Sequence, residues 1–173
     1  MYTIAALYHF TRFDDPHALQ GPLFALCEEE RISGTLILAT EGINGTIAGP
    51  DAGIRAVLDH LRALPGCADL TWKESHSERQ PFRRLKVRVK AEIVTMGQPQ
   101  VDPIAGTGRY VAPQDWNALI AAPDVAVIDT RNDYEVAIGT FQGAVDPQTA
   151  SFRDFPAWWA ANKDAFEGKR IAM

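Results

Sequence analysis

The chain has 173 residues, of which 46% are hydrophobic, so it can form one large or two small globular domains. Its 17 basic and 22 acidic residues give a net charge of −5. A protein with this net charge does not bind polyanions over its whole surface. The sequence has no apolar run of about 18 residues and no basic leader segment, so we expect a cytoplasmic protein without a membrane-spanning helix.

The first ninety residues alternate between strand and helix signals. Pro22 stands inside the first predicted helix, where proline costs about 3 kcal/mol, so we expect this helix to kink or restart there. The order β-α-β-β-α-β predicts a ferredoxin-like α+β domain. The predicted strands cover residues 3–10, 35–39 and 46–48, with a fourth beginning at Leu70, and the predicted helices follow Asp15 and Asp51.

A glycine-rich motif joins the second and third predicted strands. It consists of Glu41, Gly42, Asn44 and Gly45. Glycine and asparagine tolerate positive φ, so one interpretation is a tight hairpin connection. The alternative is a concavity of exposed backbone N–H groups that binds phosphate or another anion, although Glu41 argues against a purely anionic ligand.

Residues 79–90, called the basic segment below, hold six cations and no acid. From residue 85 to residue 90 apolar and cationic side chains alternate, which predicts an added strand with one apolar face and one cationic face. The plainer interpretation is a solvated edge that lysine and arginine protect from pairing. We favour an RNA-binding stripe with Phe82 as a stacking surface, because the rest of the chain is acidic. The six cations are Arg79, Arg83, Arg84, Lys86, Arg88 and Lys90.

A second domain is predicted after a stretch rich in glycine and proline. We expect a first domain over residues 1–97, a linker over 98–112 and a second domain over 113–173. The second domain is predicted to hold helices over 115–120 and 155–166, a buried strand over 125–129 and a strand beginning at Ile171. The buried strand ends at a charged corner, which is how an α/β domain places polar groups at the edge of its sheet.

Three charged residues mark this corner, namely Asp129, Arg131 and Glu135. One interpretation is structural, in which Arg131 pairs with Asp129 or Glu135 and braces the loop, because partly buried charges need partners. A compatible one is that the fixed guanidinium positions an anionic or sulfur-bearing group. The four histidines and two cysteines show no metal-ligand spacing, so we expect neither a metal nor a cofactor, and we expect Cys27 to be buried.

Several blocks in a fixed order carry a resemblance to a known family. They are 41–46, 90–97, 110–117, 128–135 and 151–158. Together they resemble the rhodanese-related tRNA uridine hydroxylase family over essentially the whole chain. The resemblance implies an acylphosphatase-like, ferredoxin-like domain followed by an incomplete α/β rhodanese-like domain with a parallel sheet.

The same resemblance implies an activity, partners and site residues. The implied reaction is the oxygen-dependent 5-hydroxylation of the uridine at tRNA position 34, with tRNA and molecular oxygen as substrates. Asp129, Arg131 and Glu135 carry over as the frame of the active site. The family's cysteine lies in a loop just beyond the strand on which this sequence ends, so no nucleophile carries over.

Two alternatives to a hydroxylase remain open. One is a rhodanese-type sulfurtransferase, which needs the same cysteine. The other is a non-catalytic RNA-binding module in which the rhodanese-like half is only a scaffold. Because the sequence ends inside the expected parallel sheet, we also expect an exposed strand edge that promotes self-association.

A polypeptide of residues 1–173 alone is expected to have neither hydroxylase nor thiosulfate sulfurtransferase activity, since both reactions need a thiolate from the missing loop. The measurement is incubation with unmodified tRNA and oxygen followed by nucleoside mass spectrometry, together with a cyanide–thiosulfate assay. Formation of 5-hydroxyuridine above the level of a no-protein control contradicts this expectation.

Overall fold

The computed structural model describes residues 1–98 and 100–173, and Pro99, within the predicted linker, lies outside the described residues. The chain divides into two compact units, one formed by residues 1–94 with 102–106 and the other by 95–101 with 107–173. Residues of the predicted linker thus belong to both units. Within the described residues, no helix is long and apolar enough to cross a membrane.

The first unit is a five-stranded sheet with two helices. The strands follow the order β4-β1-β3-β2-β5, in which β5 runs parallel to β2 and the other neighbours are antiparallel. The first four strands and the two helices form the predicted ferredoxin-like domain, and β5 is the added strand. The elements are β1 (Tyr2–Phe10), α1 (Pro16–Glu29), β2 (Ser33–Ala39), β3 (Gly42–Gly49), α2 (Asp51–Arg62), β4 (Trp72–Ser77) and β5 (Leu85–Val89).

Helices α1 and α2 pack on the same face of this sheet, and the core lies between them and the strands. On β1 the core residues are Thr3, Ala5 and Leu7, each at most 4% exposed. Side chains alternate along a strand, so the intervening residues point to the opposite face. This second face, called the helix-free face below, is lined by even-numbered residues of β1, β3 and β5 and odd-numbered residues of β2 and β4.

Helix α1 runs without interruption from Pro16 to Glu29, so the predicted restart at Pro22 is wrong. The Asp15 carboxylate caps the helix by accepting hydrogen bonds from the N–H groups of His17 and Ala18 at 3.0 and 3.1 Å. Pro22 has no N–H to donate within the helix, but its side chain is exposed. The fully buried α1 residues around it therefore hold the helix in place by tertiary packing, which the local propensity does not take into account.

The predicted connection at residues 42–45 is also wrong, because the turn is formed by Thr40 and Glu41 and all four of these residues belong to β3. β3 is a central strand that pairs with β1 and β2. A Cβ atom on Gly45 would lie 2.1 Å from the carbonyl oxygen of Thr35 on β2. Glycine is therefore required at this position for the close approach of two strands rather than for a turn.

The second unit contains two parallel strands and three helices. Ile128 bonds to Ala172 on one side and bridges to Val145 on the other, so the strand at 125–128 has a neighbour on each side. The helix predicted over 155–166 ends at residue 162 and continues as a 3₁₀ turn. The elements are α3 (Pro113–Ile120), β6 (Val125–Val127), α4 (Asp133–Val136), α5 (Phe155–Asn162) and β7 (Arg170–Ala172), with 3₁₀ turns at Phe152–Asp154 and Lys163–Phe166.

The substitution Gly45→Ala is expected to lower the free energy of unfolding by about 2 kcal/mol or more, because the added methyl group meets the backbone of β2. The matched control is Gly21→Ala on the exposed surface of α1, where the new methyl group meets no atom outside its own helix. This control is expected to change the free energy of unfolding by less than about 1 kcal/mol, because alanine favours helix whereas Pro22 disfavours a Cβ atom on the helical residue before it. Urea unfolding measures both values, and equal effects of the two substitutions contradict the assignment of Gly45 to a packed strand.

Candidate functional sites

Strand β5 places the basic segment at one edge of the five-stranded sheet. The backbone N–H groups of Gly34 and Lys90 donate to carbonyl oxygens across the β2–β5 pair at 3.0 and 2.9 Å. Val87 lies in the core at 6% exposed, so Lys86 and Arg88 point to the helix-free face. The strand with one apolar face and one cationic face is therefore present as predicted.

Arg84, Lys86 and Arg88 of the basic segment lie close enough to act on one another electrostatically. Arg84 lowers the pKa of the Lys86 ammonium most strongly, and partial desolvation and Arg88 lower it further. Among the described residues, none of the six cations forms an ion pair with a carboxylate, whereas Arg55 and Arg131 are both paired. Cations held together without counter-charges are suited to bind phosphate groups.

The loop that leads from β4 to β5 carries three cations of the segment, Arg79, Arg83 and Arg84, all of which are exposed. The Gln80 amide donates a hydrogen bond of 3.2 Å to the carbonyl oxygen of Ala48 at the end of β3. This contact fixes the loop beside one end of the sheet. Phe82, the predicted stacking residue, is half-buried.

Glu41 and Asn44 of the glycine-rich motif hold the chain that follows β5. The backbone N–H of Ile93 donates to the Glu41 carboxylate at 2.7 Å, and the Asn44 amide donates to the Ile93 carbonyl oxygen at 2.9 Å. Ile93 is 2% exposed. The motif thus clamps one backbone residue from both sides, which gives Glu41 a structural role.

The anion-binding interpretation of this motif has no support in the geometry. Gly42, Asn44 and Gly45 are paired with β1 on one side of β3 and with β2 on the other. Their backbone groups therefore take part in the sheet ladders and do not converge on a concavity.

The charged corner is built at the carboxyl end of β6, as expected from the sequence. The Arg131 guanidinium donates to both carboxylate oxygens of Asp129, at 2.9 and 2.6 Å. Thr140 also donates to Asp129, at 2.7 Å. Arg131 lowers the pKa of the Asp129 carboxyl group well below its usual range, since its hydrogen bonds outweigh the opposite effect of burial. The Asp129 side chain is 7% exposed and that of Arg131 47%, so the pair joins the interior to the surface.

Glu135 forms the cap of helix α4. Its carboxylate accepts hydrogen bonds from the backbone N–H and the side-chain amide of Asn132 at 3.2 and 2.9 Å, and so caps helix α4. No ion pair joins it to Arg131 within the described residues. The pairing of Arg131 with Asp129 is thus the correct alternative, and the capping box explains why an acid stands three residues after Asn132.

Arg131 ties both ends of the loop together and leaves part of its guanidinium available. Its Nη2 atom also donates to the carbonyl oxygen of Gly139 at 2.6 Å. Its Nη1 atom makes no hydrogen bond to the described residues. Because the side chain is half-exposed, this atom can contact an anionic group from outside. Sequence reasoning did not assign roles to Gly139 and Thr140, since their contacts with Arg131 and Asp129 span eight and eleven residues.

Neither cysteine of the chain is suited to act as a nucleophile. Cys27 and Cys67 are both fully buried in the first unit. Burial raises the pKa of the Cys27 thiol to about 12 and also raises the pKa of Cys67. Their thiolates are therefore not formed near neutral pH. In the described part of the chain, no group of three or more histidine, cysteine or acidic residues is arranged to hold a metal ion.

Known proteins resemble this chain in sequence over part or all of its length. Residues 2–93 match the family model described as the UPF0176 acylphosphatase like domain. The whole chain is 66% identical to the tRNA uridine(34) hydroxylase of Roseobacter denitrificans and 68% identical to that of Ruegeria pomeroyi, and covers 58% of each. An acylphosphatase structure from Bacillus subtilis aligns with 50% of this chain and 98% of its own, at 14% identity and a TM-score of 0.40. The chain spans a little over half the length of the curated relatives it matches.

The substitution Asp129→Asn is expected to lower the free energy of unfolding of the second unit by about 1–3 kcal/mol, because it removes the charged partner of Arg131. The matched control is Asp124→Asn, which breaks the exposed pair with Arg170 and is expected to have a clearly smaller effect. Tryptophan fluorescence during urea unfolding measures both, since Trp116, Trp158 and Trp159 all lie in the second unit. Equal effects of the two substitutions contradict a stabilising role of the corner.

The same pair predicts a dependence on pH. Because folding lowers the pKa of Asp129, its contribution is fully present above the unfolded carboxyl pKa of about 3.9 and is lost as the pH falls toward the folded value. The stability difference between the wild type and Asp129→Asn is therefore expected to shrink below about pH 4. Urea unfolding at pH 7, 5 and 3 checks this, and a constant difference contradicts it.

Proposed function

The chain belongs to the UPF0176 family through its acylphosphatase-like domain, and on this premise we propose that it is part of an enzyme that hydroxylates uridine 34 of tRNA. The observation that carries the proposal is the identity of 66% and 68% to two proteins named tRNA uridine(34) hydroxylase. This identity extends over all 173 residues and so includes both the basic segment and the charged corner.

We further propose that residues 113–173 form the first part of a rhodanese-like domain, joined through residues 98–112 to a first domain over 1–97. The parallel pairing of β6 with β7 supports this, because parallel strands need a crossover such as the one that α4 and α5 supply. The position of Asp129 and Arg131 at the carboxyl end of β6 also supports it, since α/β domains bind ligands at this edge.

Each site has a role in this proposal. The basic segment binds tRNA phosphates, because its six cations have no acidic partner among the described residues. Asp129 and Arg131 hold the loop after β6 and present a half-exposed guanidinium to the reacting region. Glu135 supports the same loop through the cap of α4. One atom of molecular oxygen becomes the hydroxyl group of the uridine, and the other is reduced to water with two electrons and two protons from a cellular two-electron donor. We expect the protein to act in the cytoplasm, together with its tRNA substrate.

Deletion of the gene for this chain, followed by nucleoside mass spectrometry of the tRNA, tests the proposed activity. We expect 5-hydroxyuridine and the nucleosides derived from it to disappear from the tRNA of the deletion strain. When the gene is restored and the cells grow under ¹⁸O₂, we expect these nucleosides to return with one ¹⁸O atom each. Retention of the nucleoside in the deletion strain, or oxygen derived from water, contradicts the proposal. Retention combined with tRNA binding by the purified protein favours the non-catalytic RNA-binding module instead.

The double substitution Lys86→Glu and Arg88→Glu is expected to weaken tRNA binding. It is also expected to reduce the slope of the logarithm of the binding constant against the logarithm of the salt concentration by about 1.4, because each lost phosphate contact on single-stranded RNA accounts for about 0.7 released counterion. The control is Lys163→Glu with Lys169→Glu, which changes the net charge equally at two exposed lysines outside the basic segment. Binding titrations at two salt concentrations measure both. An unchanged affinity and slope for the first variant identifies the segment as a solvated edge.

A further inference from the structure

The helix-free face has a distribution of charge that differs from the rest of the chain. Among the strand residues that line it, three are cations and none is an acid, although the whole chain carries a net charge of −5. The three cations are Lys73, Lys86 and Arg88. The acid of β4, Glu74, points instead to the helix-covered face, where it pairs with Arg55 of α2.

The strand register arranges these cations across the sheet. Lys73 on β4 is aligned with Ala6 on β1, and the row continues through Thr46 and Thr35 to Lys86 on β5. Four strand spacings of about 4.8 Å separate the two lysines, which therefore stand roughly 19 Å apart at opposite edges. Between them lie the small, half-buried side chains of Ala6, Thr46 and Thr35. These three residues form a shallow surface, called the floor below, with a cation at each edge.

An aromatic pair lies beside this floor. Tyr8 and Phe10 are successive residues of β1 on the helix-free face, with ring centroids 4.8 Å apart and an interplanar angle of 79°. Tyr8 is 39% exposed. The edge-to-face contact holds the Tyr8 ring in one orientation and leaves part of its surface accessible. Tyr8 is also aligned through Asn44 and Ile37 with Arg88 on β5.

Two chain segments bound the floor. The loop before β5 is held beside the end of β3 by the contact of Gln80 with Ala48. The chain after β5 is held over the sheet by the clamp of Glu41 and Asn44 on Ile93.

We propose that the helix-free face binds a single-stranded segment of RNA, with Lys73, Lys86 and Arg88 on its phosphates and Tyr8 stacked on an unpaired base. The combination of cations at both edges with an aromatic ring on the sheet is the arrangement by which sheet platforms bind unpaired bases. A duplex hides its bases and offers only phosphates, so it gains nothing from Tyr8. This inference rests on the proposed function. It adds that the helix-free face binds the loop of the tRNA rather than the stem.

The test measures binding of an RNA hairpin with a seven-nucleotide loop and of a blunt duplex of equal length. We expect Tyr8→Ala to weaken hairpin binding about tenfold and to leave duplex binding unchanged, while Tyr8→Phe stays within about twofold. A 2-aminopurine in the loop is expected to be quenched by the wild type and by Tyr8→Phe, but not by Tyr8→Ala. Equal losses for hairpin and duplex with Tyr8→Ala overturn the stacking role.

A second set of variants tests the floor without altering the aromatic pair. Lys73 lies outside the basic segment. Its substitution Lys73→Glu is expected to weaken hairpin binding and to reduce the slope of log binding constant against log salt concentration by about 0.7, whereas Lys163→Glu is expected to leave both unchanged. Thr46→Glu is expected to weaken binding more than the equally large but uncharged Thr46→Gln. If Lys86→Glu with Arg88→Glu weakens binding but Lys73→Glu and Thr46→Glu do not, this inference fails and the proposed function stands. If none of these variants changes binding, this inference and the tRNA-binding role of the basic segment both fail, whereas the proposed activity is decided by the deletion strain.

Discussion

The burial of one face of the five-stranded sheet against α1 and α2 is the interaction on which the rest of the first unit depends. Every strand has side chains on alternate faces, so packing alternate residues against the helices leaves the others on the opposite face. Val87 illustrates this, because its burial in the core requires Lys86 and Arg88 to lie on the helix-free face. The position of the basic side chains is thus a consequence of hydrophobic packing on the other side of the sheet.

β3 makes this arrangement possible by its close fit between two neighbours. Its glycines let the backbones of β1 and β2 approach where a side chain would meet a carbonyl oxygen, as at Gly42 and Gly45. The remaining polar residues of the motif, Glu41 and Asn44, use the same strand to anchor Ile93. A motif that suggests a turn or an anion site in the sequence therefore serves strand packing and the placement of the chain after β5.

In the second unit, burial likewise determines the contacts of the charged corner. A carboxylate that is 7% exposed needs donors, and Asp129 receives them from Arg131 and Thr140. Arg131 is fixed in return, and it holds the carbonyl oxygen of Gly139. The corner and the basic segment thus differ in kind, because Asp129 and Arg131 pair with each other, whereas the cations of the segment form no ion pair with the described residues.

The local features of the chain could be predicted from the sequence. The alternation of residues 85–90, the cap formed by Asp15, the helical spacing of α2 and the burial of Cys27 depend on neighbours within a few residues, and all are present in the structure. The continuity of α1 through Pro22, the capping role of Glu135 and the strand conformation of Gly45 could not be foreseen with the same rules, because packing or a competing local contact decides each of them.

For this protein the sequence by itself determined the type and order of most elements, and the residues that carry charge at the two sites. Only the tertiary structure decided which strands are neighbours, and therefore that Lys73 and Lys86, thirteen residues apart in the chain, stand at opposite edges of the same face. It also brought Gly139 and Thr140 to Arg131 and Asp129. The physical reason is that periodicity reports how a segment meets its surroundings, whereas strand order and loop contacts depend on how distant segments pack together.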